Sequence, residues 1–154
     1  MTSMPASERI GSYIKRAEQA LSAAKNAALK PAGLTVAQYA ALLHLGENPG
    51  ISAAALARLC GVTPPTMNTV LTNLQDREYI ERTPHEWHRN VLEIRITDEG
   101  AAVLKQADAA AVRVERTLAT EFTEAERNTL LDLFTRCADA LDAIRPEQPA
   151  AKKK

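Results

Sequence analysis

Apolar residues recur at helical spacing along most of the chain. In the segment from Ser7 to Lys30 they alternate at four- and three-residue steps, at Ile10, Ile14, Ala17, Leu21, Ala24 and Ala28. This seam is typical of a helix that packs lengthwise against another helix. The pattern ends before Pro31 and Gly33, which predicts the end of a first helix there.

Three shorter helices are predicted next. Thr35 and Gln38 form a capping box at the start of the second helix, whose apolar stripe is Val36, Tyr39, Leu42 and Leu43. Ser52 begins the third helix, from which Leu56, Leu59 and Cys60 are expected to face inward before a left-handed turn at Gly61. Thr63 caps the fourth helix, with Pro64 in its first position and Met67, Val70, Leu71 and Leu74 on its buried face.

A β-hairpin and two long helices complete the pattern. The segments "YIERT" and "VLEIRI" flank the loop "PHEWHRN", and in the second segment Leu92, Ile94 and Ile96 alternate with polar residues. Thr97 caps a fifth helix with heptad-like spacing at Leu104, Ala107, Ala111, Val114 and Leu118. Thr123 and Glu126 cap a sixth, with an apolar stripe at Leu130, Leu133, Phe134, Cys137, Leu141 and Ile144.

Composition agrees with a single, mainly α domain that carries a small β-hairpin, six helices and two to three short strands in all. The 154 residues are 45% hydrophobic and include only six glycines, so a real core can form from strong helix formers. Residues 146–154 read as a disordered tail. No signal-peptide pattern or membrane span is recognisable and the two cysteines form no framework, so a cytoplasmic protein is expected.

Charge is balanced both globally and locally. Lysine plus arginine number 19 and aspartate plus glutamate 19, so no overall positive field indicates nucleic-acid binding. Residues 51–97 contain five arginines, Arg58, Arg77, Arg82, Arg89 and Arg95, against five acidic residues. Any binding to a polyanion must therefore depend on locally placed groups.

The third and fourth helices have the lengths and the turn of a helix-turn-helix. Ala57 is small enough for close helix approach, Gly61 lies at the turn, and Met67 anchors the second helix. The face opposite the buried one carries hydrogen-bonding groups able to read base edges, and the helix N-terminus can hold a phosphate. These candidate DNA-binding residues are Pro64, Pro65, Thr66, Asn68, Thr69, Thr72 and Asn73.

The hairpin loop is the predicted source of the missing charge. Arg89 can enter a narrow, electronegative minor groove from the loop tip. Its neighbours complete the candidate DNA-binding set with His85, Trp87, His88 and Asn90. Arg82 and Arg95 are expected to reach phosphates from the strands.

The order of these segments resembles the winged helix-turn-helix regulators of the multiple antibiotic resistance regulator (MarR) family. The resemblance is carried by "LTVAQYAALLHL", "LARLCGV", "TPPTMNTVLTNLQDREYIER" and "VLEIRITDEGAAVL", and it extends from about Ser7 to Ile144. One departure is that the family's usual Asp-x-Arg of the wing is replaced by His88 and Asn90, with Arg89 between them. Arg89 would then act from a neighbouring position.

The resemblance implies a transcriptional repressor that binds double-stranded DNA as a homodimer. Residues 7–30 and 98–145 would form the helical dimerisation region and 35–97 the winged helix-turn-helix lobe. Recognition helix 63–76 would enter the major groove of a palindromic operator and wing 83–90 the minor groove. It also implies release by a small phenolic or lipophilic ligand whose binding residues are unknown; no enzymatic activity, cofactor, metal or membrane association is expected.

Other interpretations remain open from the sequence. His85, Glu86 and His88 of "HEWH" invite a zinc site, but they do not follow the helical zinc pattern. Cys60 or Cys137 could make a redox-sensing regulator, although neither setting favours a thiolate. A winged helix that contacts only proteins is a third option. Tyr13, Tyr39 and His44 could line a ligand cavity or simply pack.

Overall fold

A computed structural model describes residues 4–87 and 92–145 of the chain. These residues form six α-helices and two strands, as the sequence predicted. The elements are α1 (Ile10–Leu29), α2 (Val36–Glu47), α3 (Ala53–Leu59), α4 (Pro64–Asp76), β1 (Ile80–Pro84), β2 (Leu92–Ile96), α5 (Asp98–Thr120) and α6 (Glu124–Ala143). The predicted tail, residues 146–154, lies outside the described residues.

Side-chain caps begin the helices where the sequence placed them. Thr35 Oγ1 accepts a hydrogen bond from the Gln38 backbone N–H at 3.2 Å, and Gln38 Oε1 accepts one from Thr35 N at 3.0 Å. Glu126 and Thr123 form the same reciprocal pair at α6. The hydrogen bonds from the Thr123 backbone and side chain lower the pKa of Glu126, because they favour its charged form.

The chain divides into two compact units, residues 1–114 and 115–154. The core of the first unit lies between α2, α3, α4 and the hairpin. Its large, fully buried side chains are Leu29, Leu42, Leu45, Leu56, Met67, Leu71, Leu74 and Ile94. The predicted inward face of α4 is thus confirmed.

Two leucines expected in the core lie outside it. Leu59 is 51% exposed and Leu92 is 47% exposed. The buried side of α3 is set by Leu56 and Ala57, and at about 100° per residue Leu59 lies nearly opposite Ala57. Leu92 shares a strand face with buried Ile94 but pairs with Pro84, at the outer end of the hairpin and beyond the edge of the core.

The hairpin is antiparallel, with Ile80 opposite Ile96 and Pro84 opposite Leu92. The loop after α2 reaches its second strand, where Gly50 N donates to Ile94 O at 3.2 Å. Within the described residues this is a two-stranded sheet, the lower of the two predicted strand counts.

The turn between α4 and β1 is joined to the start of α5. Thr97 donates from its backbone N to Tyr79 O at 3.1 Å and from Oγ1 to Glu78 O at 2.6 Å. Gly100 N donates in turn to Thr97 Oγ1 at 3.0 Å, which caps α5 as predicted. Glu78 adopts a left-handed conformation with φ of 59°. We call these residues, 78–79 with Thr97 and Gly100, the wing junction.

The second unit is built around α6. Arg127 Nη1 donates at 3.0 Å to both Ala119 O and Phe122 O, which fixes the turn before the helix. The apolar residues of α6 remain accessible in the single chain, with exposures of 65% at Leu131, 44% at Phe134 and 58% at Leu141. In the described part of the chain, no helix is both long and apolar enough to cross a membrane.

The close approach of Gly100 to Tyr79 predicts that alanine at position 100 destabilises the fold. A Cβ at this position would overlap Tyr79 O and lie 2.8 Å from Ile96 Cγ1, so Gly100→Ala must push α5 away from the wing junction. We expect a loss of roughly 3 kcal/mol of unfolding free energy, the upper range for an overpacked site. Chemical denaturation followed by circular dichroism measures it.

Gly11→Ala is the matched control, because it makes the same change in α1 where nothing lies within 4 Å. That variant should gain about 0.5–1 kcal/mol from helix propensity. Equal stabilities for the two variants would contradict the close approach at Gly100.

Candidate nucleic-acid interface

A tight turn sets the angle between α3 and α4. Gly61 adopts φ of 64°, a conformation that costs glycine little. Val62 N then donates to Ala57 O at 3.0 Å. Ala57 is 2% exposed and Met67 fully buried, so the two residues predicted to allow close approach and to anchor the second helix do contact the core.

The opposite face of α4 is exposed over its whole length, as predicted. Thr63 Oγ1 accepts from Thr66 N at 3.3 Å, and Pro64 and Pro65, in the first two helical positions, have no N–H. The expectation that free N–H groups at this helix N-terminus hold a phosphate is therefore wrong for residues 64–66. The exposed side chains on this face are Pro65, Thr66, Asn68, Thr69, Thr72 and Asn73. We call these six residues the polar face of α4.

Several of these groups bond back to their own helix. Thr69 Oγ1 donates to Pro65 O at 3.2 Å, and Thr72 Oγ1 donates to Asn68 O at 2.9 Å. Asn73 Nδ2 donates to Thr69 O at 3.1 Å. Because hydroxyls in these positions satisfy helix carbonyls, the threonines are compatible with a regular helix despite their modest propensity.

The hairpin positions a histidine, a carboxylate and an arginine together. His85 Nε2 lies 3.4 Å from Glu93 Oε1, and Arg95 Nη2 donates to Glu93 Oε2 at 2.8 Å. His85 Nδ1 also accepts from Trp87 N at 3.1 Å. Sequence reasoning missed Glu93 as the shared partner, although its alternation with Arg95 along β2 was visible.

Trp87 is the most exposed large apolar side chain of the described hairpin, at 83%. His88, Arg89 and Asn90, the other predicted contacts at the tip, lie outside the described residues. Of the predicted hairpin contacts, the structure therefore places His85 against Glu93 and leaves Trp87 open to solvent.

The remaining arginines of this region differ in availability. Arg77 Nη1 donates to Gly33 O at 2.7 Å, and its guanidinium lies 4.6 Å over the Tyr79 ring. Arg82 Nε and Nη2 are buried, with no hydrogen-bond partner among the described residues. The expectation that Arg82 reaches a phosphate is thus wrong for these two nitrogens, because Arg82 shares the inward strand face with Ile80. Arg95 is half-exposed and paired with Glu93.

The aromatic residues considered for a ligand cavity have separate surroundings. Tyr39 is 7% exposed and donates to Asp108 Oδ1 at 2.8 Å, a link between α2 and α5. Tyr13 is 59% exposed and donates to Ser7 O, and His44 Nδ1 lies 3.8 Å from Glu47. Asp108 was missed in the sequence because it stands in an alanine-rich helical run without a pattern.

Metal-ligating residues were also considered at the loop. In residues 4–87 and 92–145, no three histidine, cysteine, aspartate or glutamate side chains come together as a metal site. His85 of the "HEWH" segment contacts Glu93, and His88 is not among the described residues.

Comparisons with known proteins agree on one family. A sequence model of the MarR family matches residues 32–89, which include α2, α3, α4 and β1. The HTH-type transcriptional repressor Rv2887 of Mycobacterium tuberculosis is 37% identical over 100 residues, which span 65% of this chain and 72% of that protein.

Two solved structures have the same architecture. The transcriptional repressor CouR bound to a 23-mer DNA duplex has a TM-score of 0.80 at 29% identity, covering 90% of this chain and 98% of that chain. Rv2887 in complex with p-aminosalicylic acid has a TM-score of 0.67 at 29% identity, covering 84% and 98%. With its exposed helix-turn-helix face and β-hairpin wing, this chain belongs to the MarR family of DNA-binding transcriptional regulators.

Proposed function

We propose that this regulator is a homodimeric repressor that binds a palindromic operator and is released by a small molecule. Recognition helix 63–76 lies in the major groove and wing 83–90 at the minor groove in this proposal. The observation that carries it is the polar face of α4, which is fully exposed while Met67, Val70, Leu71 and Leu74 hold the opposite face in the core.

The composition of the polar face favours a role in contacting bases over that of an ordinary solvated helix surface. Threonine and asparagine are mediocre helix formers, yet they fill this surface, where alanine, glutamate or lysine would stabilise a helix better. Amide and hydroxyl groups can pair with base edges in the major groove.

Electrostatic attraction must come from outside α4. Arg77 and Arg95 are engaged with protein groups, whereas Arg58 on α3 is exposed. Arg89, outside the described residues, is the proposed minor-groove cation on the basis of its place in the loop sequence. Exposed Trp87 beside it offers an apolar surface to the DNA backbone.

The homodimer is supported by apolar surfaces that a single chain leaves exposed. On α1, Ile10 and Tyr13 are 68% and 59% exposed. Leu131 on α6 is 65% exposed, and Ile144, directly after that helix, is 77% exposed. Exposed apolar groups at this density mark interaction surfaces. A two-fold pair would present two copies of α4 and would match a palindromic site.

A small phenolic or lipophilic ligand is proposed to release the operator. The support is that Rv2887, a relative at 37% identity, has been solved with p-aminosalicylic acid. The residues that would bind the ligand in this chain are left unassigned. Since the proposed partner is operator DNA, the proposed location is the cytoplasm.

A redox-sensing mechanism is less well supported. Cys60 is half-buried at the end of α3, and burial raises the pKa of its thiol. A raised pKa reduces the thiolate that peroxide attacks near neutral pH. Cys137 is half-buried on α6.

The other alternative is a winged helix that contacts only proteins. The salt dependence of its binding distinguishes it from a DNA-binding protein, because phosphate contacts release counterions.

The operator proposal is tested by selecting bound sequences from random DNA and titrating the recovered duplex at several salt concentrations. We expect a palindromic site whose affinity falls steeply with salt, because phosphate contacts release counterions. Arg89→Ala should weaken binding by about 1–3 kcal/mol and make the salt dependence shallower. Lys105→Ala, which removes an exposed cation of α5, is the matched control and should bind normally. An apolar, salt-insensitive interaction would contradict the proposal.

The homodimer proposal predicts that Phe134→Asp raises the dimer dissociation constant at least about tenfold, since a charge would be buried without a partner. Sedimentation equilibrium measures it, and circular dichroism checks the fold. Asn128→Asp places the same charge elsewhere on α6, at an exposed polar position, and should leave assembly unchanged. A monomeric wild-type protein would refute the dimer.

The cysteine assignment predicts slow alkylation of Cys60. In a Cys137→Ser background, the rate of reaction with iodoacetamide should rise with pH through a midpoint above that of free cysteine, because burial disfavours the thiolate. The same variant unfolded in guanidinium is the control and should titrate as free cysteine does. A folded-state midpoint below the control, together with DNA release by stoichiometric peroxide, would instead establish redox sensing.

A further inference from the structure

We propose that α4 reads an A·T core in each operator half-site, with Asn68 on adenine and the methyl groups of Thr69 and Thr72 on thymines. No guanine is contacted by this helix. The inference rests on the proposed function, in which the polar face of α4 lies in the major groove, and it adds which bases that face accepts.

Helix α4 carries no cation. The commonest specific guanine contact is an arginine or lysine bound to O6 and N7, and residues 64–76 contain neither. Arg77, directly after the helix, is held by Gly33 O at 2.7 Å and by the Tyr79 hydroxyl at 3.1 Å. The one acidic residue, Asp76, which could pair with cytosine, stands in the last helical position, far from the N-terminal turns that contact bases.

The centre of the polar face offers mainly apolar groups to a base edge. Pro65, Thr69 and Thr72 follow each other at four- and three-residue steps, so they lie in one row along the helix. The hydroxyl hydrogens of Thr69 and Thr72 are donated to Pro65 O and Asn68 O. What this row can offer a base edge is the proline ring, two methyl groups and hydroxyl lone pairs. The 5-methyl group of thymine is the apolar feature of the major groove that matches it.

The two asparagines of the polar face differ in whether their side-chain amides are already hydrogen-bonded. Asn73 uses Nδ2 to donate to Thr69 O, so its amide is partly occupied. The Asn68 side chain makes no hydrogen bond to the described residues, and it is exposed one turn nearer the helix N-terminus. Its amide therefore has both a donor and an acceptor available for the N7 and N6 positions of adenine.

Helix α4 therefore offers no arginine, lysine or well-placed carboxylate for reading G·C pairs, and it can be selective without a cation. Methyl contacts and one amide require no counter-charge, whereas attraction to the phosphates is supplied elsewhere. Specificity and affinity thus come from different parts of the protein.

The experiment replaces single bases in the selected operator. Exchanging thymine for uracil removes only the 5-methyl group, and 7-deazaguanine removes only the N7 acceptor of guanine. We expect uracil to weaken binding about three- to fivefold at each contacted thymine, the effect of exposing one methyl-sized group. We expect 7-deazaguanine at any guanine within the half-site to have no effect.

Two variants of one residue separate the methyl group from the hydroxyl. Thr72→Val keeps a methyl and loses the hydroxyl, so its binding should remain sensitive to uracil. Thr72→Ser keeps the hydroxyl and loses the methyl, so its sensitivity at one thymine should disappear. Both changes are on an exposed face, and thermal unfolding by circular dichroism shows whether either disturbs the fold. For Asn68→Ala, 7-deazaadenine should cause no further loss at the adenine that it weakens in the wild type.

The two levels of the proposal fail differently. Specific, salt-sensitive operator binding that is indifferent to uracil, or that is lost with 7-deazaguanine at a guanine of the half-site, would overturn the A·T reading and leave the operator function intact. Absence of any sequence-selective, salt-sensitive binding would overturn the proposed function itself, and the base assignment with it.

Discussion

The positions of α4, the β-hairpin and the start of α5 all depend on one set of contacts, the wing junction. Hydrogen bonds of Thr97 join the turn between α4 and β1 to the first turn of α5. Gly100 lets the backbone of α5 approach Tyr79 O more closely than a residue with a Cβ could. These contacts hold α4, the β-hairpin and α5 in one arrangement. A geometry of this kind lets a helix that makes few strong contacts be presented to DNA at a fixed angle, which reduces the ordering cost of binding.

That constraint explains how α4 can lack a cation. A flexible DNA-contacting helix would need strong ionic contacts to offset the conformational entropy that it loses on binding. A helix already held in place can use weak, directional contacts. Burial of Met67, Leu71 and Leu74 fixes one face of α4 in the core. Arg77, one of the five arginines of residues 51–97, ties the helix end to Gly33 and Tyr79. Its charge serves the scaffold, and attraction to DNA is left to residues on other elements.

Much of this could be predicted from the sequence because the signals were local. Capping residues such as Thr35 and Thr123 fixed helix starts, and apolar spacing identified the buried face of α4 correctly. Errors arose where burial depends on distant elements. Leu59 and Leu92 fit an apolar pattern but extend past the core. The contacts of Glu93 with His85 and of Asp108 with Tyr39 join residues that no periodicity relates. The wing tip stays a sequence-based prediction.

The position of Asp108 bears on how a signal could reach the DNA-binding surface. Its hydrogen bond with Tyr39 ties α5 to α2 across 69 residues of chain, and the same helix begins at the wing junction. A rigid helix joined at one point to α2 and at another to the α4–β1 turn moves both when it moves either. Because a ligand can shift an equilibrium only through its different affinity for two states, one that binds tightly only when α5 is displaced from α2 would also displace the wing junction. In the proposed response to a ligand, release of DNA would then require no contact between the ligand and α4.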